Sequence, residues 1–217
     1  MKTIRFYLMA ALMAAIILPS VTSCLDSKDD DNNSTPARSL TDSEKSIIMS
    51  IIAGDYEGKL YYIKTDQKED SIYIHYTITA SDSVLRINDF DFKTLERPLL
   101  TWGEEASKTA AQAGLGVIEL VLHPYYNQYF SAGDYTFNYS FDKPFYFNFN
   151  DGEKDHSIVM TLGQYVDYMY AYETLRYYNF VEYYSKQMQG NLIIKSMNVD
   201  GLQANVNTVL GFNGKKL

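Results

Sequence analysis

Beyond Gly54, apolar and polar residues alternate along most of the chain with a period of two. Residues 71–80 show the pattern most plainly, because Ile72, Ile74 and Ile78 alternate with Tyr, His and Thr side chains. Such alternation is typical of a strand with one buried and one exposed face. Strands are predicted over 56–65, 71–80, 83–88, 117–122, 135–141, 145–149, 156–162, 191–199 and 206–212. Eight or nine short strands separated by turn residues predict a mostly β fold, either a single antiparallel β-barrel or a β-sandwich.

One short N-terminal helix is predicted ahead of the strands, over residues 39–53. Thr41 and Glu44 have the spacing of a capping box, in which each side chain bonds the other residue's backbone N–H. Four isoleucines between positions 47 and 52 fall on one helical face, and Gly54 stands where a helix C-cap is expected. We expect this helix to pack on the sheet or to close one open end of it.

Three other segments carry less regular patterns. The strands at 135–141 and 145–149 are predicted to form a hairpin, because the junction from Asp142 to Pro144 is typical of a turn. Residues 90–113 predict an irregular crossing that contains a short helix. Residues 165–184 hold eight tyrosines, and their periodicity is compatible either with paired strands or with a helix.

The start of the chain is organised as an export signal. Lys2 and Arg5 form a basic beginning, residues 6–18 are apolar, and Pro19 ends the apolar run. That run is too short to cross a hydrocarbon core of about 30 Å as a helix. The pattern therefore predicts a signal peptide over residues 1–23.

Cys24, the sole cysteine of the chain, follows this segment directly. Its position resembles that of the lipobox cysteine of bacterial lipoproteins, which becomes the first mature residue and carries a diacylglycerol on its sulfur. The resemblance implies that Cys24 is a lipidation site. A signal peptide cut elsewhere, or an N-terminal anchor with an incidental cysteine, is the competing interpretation.

A polar, acidic stretch comes next. Residues 24–38 have no apolar period, so they predict a flexible tether ahead of a single β-rich domain over 39–217. Residues 27–31 resemble the acidic export signal that follows the cysteine in surface-exposed lipoproteins of the Bacteroidetes. This resemblance implies a lipid-anchored protein of the outer membrane that faces the cell exterior.

The chain as a whole resembles the uncharacterised single-domain lipoproteins of gut Bacteroides, several of which are lipocalin-like (calycin-like) β-barrels. The resemblance rests on the lipobox, the acidic tether, the short helix and the Gly-Asp-Tyr-Glu-Gly segment at 54–58. It covers the first sixty residues by motif and the remainder by strand count. It implies a location, and it carries over no catalytic residue.

Charge and motifs narrow the possible functions. The chain has 19 Lys and Arg against 27 Asp and Glu, which argues against a nucleic-acid partner. One cysteine cannot build a disulfide framework or a thiolate zinc site. His75, His123 and His156 lack the spacing of metal ligands, and no nucleophile elbow or phosphate loop occurs. No catalytic residue, metal site or cofactor is therefore predicted.

Tyrosine is the one compositional signal that points to a function, with 20 residues in the chain. Its flat apolar ring and polar hydroxyl suit sugar stacking and protein interfaces, although tyrosine also fills half-buried strand positions. The predicted ligand-binding residues are Tyr165, Tyr168, Tyr170, Tyr172, Tyr177 and Tyr178. Two functions stay open: a non-catalytic binding module for a glycan or a small apolar ligand, and a structural or accessory lipoprotein that binds another outer-membrane protein.

Overall fold

The computed structural model describes residues 38–126, 133–141, 143–170 and 173–217. The strands within them are β1 Gly54–Ile63, β2 Glu69–Thr79, β3 Val84–Asp91, β4 Leu115–Tyr125, β5 Tyr135–Ser140, β6 Phe145–Asn150, β7 Asp155–Leu162, β8 Tyr165–Tyr170, β9 Glu173–Tyr178, β10 Val181–Tyr184, β11 Gln187–Val199, β12 Leu202–Ala204 and β13 Thr208–Lys216. The helices are α1 Asp42–Ile52, α2 Glu96–Leu100, α3 Glu104–Gln112 and a 3-10 helix at Phe92–Leu95.

Eight of the strands close into an antiparallel barrel. Their order around the barrel is β1, β2, β3, β4, β5, β10, β11 and β13, and β13 returns to β1. Closure depends on two pairings: Val181 of β10 faces Gly190 of β11, and Gly58 of β1 faces Gly214 of β13. The predicted mostly β fold is confirmed, and of its two forms the structure has the barrel.

Side chains fill the interior of the barrel. Tyr76 stacks on Tyr56 with ring centroids 5.0 Å apart, and it meets the edge of Phe212 at 5.9 Å. These rings belong to one buried cluster that draws alternate residues from every barrel strand. The predicted period of two is therefore the pattern that places one face of each strand inside. The interior is a packed core rather than an open cup.

Helix α1 packs onto this core through one face. Its capping box forms as predicted, since Thr41 Oγ1 accepts from the Glu44 N–H at 3.2 Å and Glu44 Oε2 accepts from the Thr41 N–H at 2.9 Å. The buried residues of the helix, Ile48, Met49 and Ile52, belong to the barrel core. A helix that contributes to the core in this way covers the barrel end where β1 begins.

The helix stops one residue earlier than its glycine suggests. Ala53 is the C-cap, and its N–H donates to Met49 O at 2.9 Å. Gly54 is instead the first residue of β1. The buried Tyr56 hydroxyl donates to Ile52 O at 2.6 Å. This hydrogen bond ties the beginning of β1 to the last residue of the helix.

The opposite end of the barrel carries the long connections. Residues 92–112, between β3 and β4, contain the 3-10 helix, α2 and α3, so the predicted crossing holds more helix than the sequence indicated. Phe92 meets Phe147 of β6 edge-on, with ring centroids 4.4 Å apart. Strand β6 therefore packs against the helical connection at this end.

Strand β11 extends beyond the barrel and supports β7 and β6. Its residues 187–190 pair with β10, whereas residues 194–199 pair with β7, which in turn pairs with β6. The prediction that residues 135–141 and 145–149 form a hairpin is wrong. Strand β5 pairs with β4 on one edge and with β10 on the other, so neither edge is free to pair with β6.

Strands β8 and β9 form a separate two-stranded sheet between β7 and β10 in the chain. Of the two structures that residues 165–184 allowed, the described part has paired strands. Tyr165 faces Tyr178 and Asp167 faces Arg176 in this hairpin. Because side chains alternate between faces, these four residues share one face.

Candidate functional site

The exposed face of the β8–β9 hairpin, made of Tyr165, Asp167, Arg176 and Tyr178, is here called the tyrosine face. The two tyrosines are 43% and 41% exposed, and their ring centroids lie 6.3 Å apart. The opposite face of the hairpin holds Val166, which is buried. The hairpin thus turns its apolar side toward the protein and presents aromatic rings and charges to solvent.

Arg176 organises the tyrosine face. Its Nε and Nη2 donate to the two carboxylate oxygens of Asp167 at 2.7 and 2.9 Å, which is a bidentate pair. The guanidinium also lies over the Tyr165 ring, with Cζ 4.4 Å from the centroid. Hydrogen bonds to Asp167 and Tyr178 raise the pKa of Arg176. The hydrogen bond from Arg176 lowers the pKa of Asp167. The arginine therefore holds both rings and the carboxylate in one arrangement.

Lys195 of β11 borders this face. The pairing of β11 with β7 shifts register between Ile194 and Ser196, so Lys195 occupies a β-bulge. Bulges redirect a side chain away from the regular alternation of the strand. The exposed Lys195 places its Nζ 6.0 Å from the centroid of the Tyr165 ring.

The structure brings together part of the predicted tyrosine set. Tyr165 and Tyr178 share the tyrosine face, and the half-buried Tyr177 lies on the other face of the hairpin. The side chains of Tyr168 and Tyr170, and all of Tyr172, lie outside the described residues.

The sequence-based prediction of ligand-binding residues did not include three charged residues of this surface, Asp167, Arg176 and Lys195. Asp167 and Arg176 carried a usable signal, since opposite charges lie at mirrored positions of a possible hairpin between tyrosines. Lys195 carried none, because a bulge between distant strands determines its direction.

A second cluster surrounds His156 at the start of β7. His156 Nδ1 lies 2.6 Å from Asp200 Oδ2, and Nε2 lies 3.0 Å from Asp151 Oδ2. The side chain is 2% exposed and stacks on Phe149, with centroids 4.9 Å apart. The carboxylates also bind backbone, since Ser157 N–H donates to Asp200 at 2.9 Å. We call His156, Asp151 and Asp200 the histidine cluster; it joins the β6–β7 turn to the residue after β11.

The histidine cluster has the electrostatics of a structural clasp. Side-chain hydrogen bonds to Asp151 and Asp200 raise the pKa of His156. Backbone and His156 hydrogen bonds lower the pKa of Asp151. Both imidazole nitrogens face carboxylates, so neither has a lone pair directed at a substrate proton. An open cavity of about 500 Å³ lies beside the cluster.

The other histidines lie on the outer surface of the barrel. His75 Nδ1 lies 2.9 Å from Asp89 Oδ2, and the His75 side chain is 64% exposed. His123 Nε2 lies 2.7 Å from Ser140 Oγ across the β4–β5 pair. Over the described residues, no group of three or more His, Cys, Asp or Glu side chains is arranged to hold a metal ion.

These features define a class: a closed, filled eight-stranded antiparallel barrel that carries an exposed aromatic hairpin. The chain belongs to the family described as Domain of unknown function (DUF4840), whose profile matches residues 51–199. Neither the curated proteins nor the solved structures contain a significant match. Among the described residues, no helix combines the length and the apolar character needed to cross a bilayer.

Proposed function

We propose that this protein is a lipid-anchored, non-catalytic binding module of the outer membrane, exposed at the cell surface, which binds glycans on its tyrosine face. The proposed anchor is an acylated Cys24, and its support is the resemblance to Bacteroides lipoproteins with lipocalin-like barrels. The observation that carries the binding role is the pair of exposed, fixed rings of Tyr165 and Tyr178 beside the bidentate Asp167–Arg176 pair.

The chemistry of the tyrosine face matches that of a sugar. A tyrosine ring offers a flat apolar surface on which the C–H face of a pyranose can stack, and its hydroxyl adds a polar contact. The Asp167 and Arg176 groups offer acceptors and donors beside that surface. Because Arg176 already fixes these groups, little side-chain entropy is lost when a ligand binds.

The filled interior favours a glycan over a small apolar ligand. A ligand inside the barrel would have to displace the stacked Tyr56 and Tyr76, both of which are fully buried. Displacing buried aromatic groups costs several kcal/mol, about 3 or more for each ring. We therefore place the ligand outside the barrel, on the hairpin.

Binding to a glycan panel with variants of Tyr178 tests the proposal. Tyr178→Ala should weaken the affinity about tenfold through loss of a stacking surface, whereas Tyr178→Phe should retain most of it. Tyr73→Ala is the matched control, because Tyr73 is an exposed strand tyrosine with Lys59 over its ring at 5.4 Å. Equal loss in the Tyr73 and Tyr178 variants, or no binding by the wild-type protein, would contradict the proposal.

A second candidate function, an accessory lipoprotein that binds another outer-membrane protein, is favoured by β6. Among the described strands, β6 pairs only with β7, so its other edge is unpaired. Its residues 145–150 include no charge, although edge strands usually carry charges that prevent pairing. A partner's extended segment could add to this edge through backbone hydrogen bonds.

Native electrophoresis of solubilised outer membranes separates this candidate from the first. Asn148→Lys places a charge in the middle of β6 and should release the protein from any complex built on that edge. Tyr73→Lys adds the same charge to the solvent-exposed face of β2, a strand of the barrel wall, and should leave the complex intact. A wild-type protein that migrates alone would rule this candidate out.

A further inference from the structure

We propose that the tyrosine face recognises acidic glycans, and that Lys195 supplies the cation that binds the carboxylate of a uronate sugar. This inference rests on the proposed glycan-binding function and names its ligand class. It uses a residue from β11, outside the hairpin that carries the rings.

The β-bulge is the first observation that carries the inference. In a regular pairing Ile194, Lys195 and Ser196 would alternate across β11, but the register shifts between Ile194 and Ser196. The Lys195 carbonyl also accepts from the Asn207 N–H at 3.1 Å, which fixes the bulged backbone. The exposed side chain is thereby directed to the Tyr165 ring, 6.0 Å from its centroid.

The charge balance is the second observation. Arg176 is neutralised by its bidentate pair with Asp167. Lys195 takes part in none of the ion pairs formed among the described residues, and its charge acts on Asp167 only at longer range. Among the described side chains, Asp167, Arg176 and Lys195 therefore give the tyrosine face and its border one net positive charge, on a chain whose formal net charge is −8.

A uronate fits this arrangement better than a neutral sugar does. Its carboxylate is attached directly to the pyranose ring, so a ring stacked on the tyrosine face would hold the carboxylate near the border where Lys195 lies. A lysine ammonium binds a carboxylate as a compact charge through hydrogen bonds that are stronger than neutral ones. A neutral hexose offers a hydroxyl at that position and gains less from the charge.

Matched pairs of glycans test the inference directly. Polygalacturonate and hyaluronan are each presented to the full-length protein in detergent, beside their carboxyl-reduced, neutral counterparts. Wild-type protein should bind at least one acidic form about tenfold more tightly than its neutral counterpart at low salt. The preference should shrink as ionic strength rises.

Variants of Lys195 assign the preference to this residue. Lys195→Gln should lower the affinity for the acidic form to that of its neutral counterpart, and Lys195→Arg should keep the preference. Lys59→Gln is the control, because Lys59 lies over the exposed Tyr73 ring on another part of the barrel.

The outcomes separate this inference from the function on which it rests. If wild-type protein binds the acidic and neutral forms equally, and Tyr178→Ala weakens both, the acidic preference is wrong and the glycan-binding proposal stands. If Lys195→Gln weakens both forms equally, Lys195 supports the site without selecting the charge, and the inference is overturned. If no form binds to the wild-type protein, both proposals fail.

Discussion

Tyr56 and Tyr76 show how one hydrogen bond separates two otherwise similar residues. Both side chains are fully buried and they stack with an interplanar angle of 9°. The Tyr56 hydroxyl donates to Ile52 O at 2.6 Å. The buried Tyr76 hydroxyl has no hydrogen-bond partner among the described residues. An unsatisfied buried hydroxyl destabilises a fold, whereas a bonded one contributes to its stability.

Removal of each hydroxyl should therefore change stability in opposite directions. Tyr76→Phe should raise the free energy of unfolding by about 1 kcal/mol, and Tyr56→Phe should lower it by about 1 kcal/mol. Urea denaturation of the two variants beside the wild-type protein measures both effects. A loss of stability in Tyr76→Phe would contradict this prediction.

The histidine cluster predicts a pH dependence of stability. The pKa of His156 is raised in the fold, so its contribution is complete below the unfolded pKa of about 6.5 and is lost as pH rises through the folded pKa. The pKa values of Asp151 and Asp200 are lowered, so their contributions are present above about pH 4 and are lost as pH falls through the folded values. Stability from this cluster should be greatest in the mildly acidic range between these limits.

Denaturation at a series of pH values checks this dependence. His156→Gln should flatten the decline in unfolding free energy above about pH 6.5, because the titrating group is gone. His75→Gln removes an exposed histidine of the barrel surface, outside the histidine cluster, and serves as the control. If the two variants have the same pH profile, the histidine cluster is not the source of the decline.

For single residues, the sequence indicates which side-chain types are present in a segment better than it indicates which distant residues they contact. Tyrosine density alone selects Tyr165 and Tyr178, which the structure places together on the exposed face of the β8–β9 hairpin. Lys195 cannot be found in this way, since it meets Tyr165 only through a bulge in a distant strand. Likewise, the pairing of His156 with Asp200 cannot be found from the sequence, because Asp200 is 44 residues away in the chain.

At the scale of elements, the pairing of β1 with β13 depends on two glycines that face each other. Gly58 and Gly214 are directly opposite, and a methyl group on Gly58 would overlap the Asn213 carbonyl oxygen. A methyl group on Gly214 would overlap the Tyr76 hydroxyl. At Gly58 the two strands therefore approach too closely for a side chain, and at Gly214 the Tyr76 side chain of the core fills the space.

Gly58→Ala should destabilise the barrel by about 3 kcal/mol or more, because the overlap involves backbone that cannot move without opening the β1–β13 pairing. Gly211→Ala is the matched control on the partner strand β13, since a methyl group there meets no atom within 4 Å. That control should change stability by less than about 1 kcal/mol. Thermal or urea denaturation compares the two variants, and equal losses would show that strand propensity rather than close approach determines the result.

The period of two in the sequence predicts where strands lie, but it does not predict which strands pair. It locates most strands within a few residues, because alternation follows directly from one-sided burial. It does not specify partners: β5 and β6 are adjacent in the chain and have good alternation, yet they do not pair. Partner choice depends on which edges are already occupied, and β10, some forty residues later, takes the free edge of β5.

At the scale of the whole molecule, closure distinguishes the barrel from a sandwich. Both architectures need similar numbers of short antiparallel strands, so the strand count left the choice open. Closure comes from β13, which bridges β1 and β11, and from the pairing of β10 with β11. Strand β13 lies beyond residues 51–199, which match the family. Of these pairings, β10 with β11 is a local hairpin, whereas β1 with β13 joins the start of the domain to its end, with Tyr56 facing Lys216.

The proposed attachment to the membrane depends on Cys24 and can be tested apart from the fold. Buried acyl chains contribute about 0.8 kcal/mol per methylene, so several chains on one residue hold a protein firmly at a bilayer. Cys24→Ala should move the protein from the membrane fraction to the soluble fraction and abolish labelling by palmitate. Ser23→Ala keeps a small residue before the cysteine and should remain in the membrane fraction. Because the core residues among those described, from Leu40 to Phe212, all lie after Cys24, the displaced variant should retain its fold and its glycan binding. Membrane retention of Cys24→Ala would show that another segment anchors the chain.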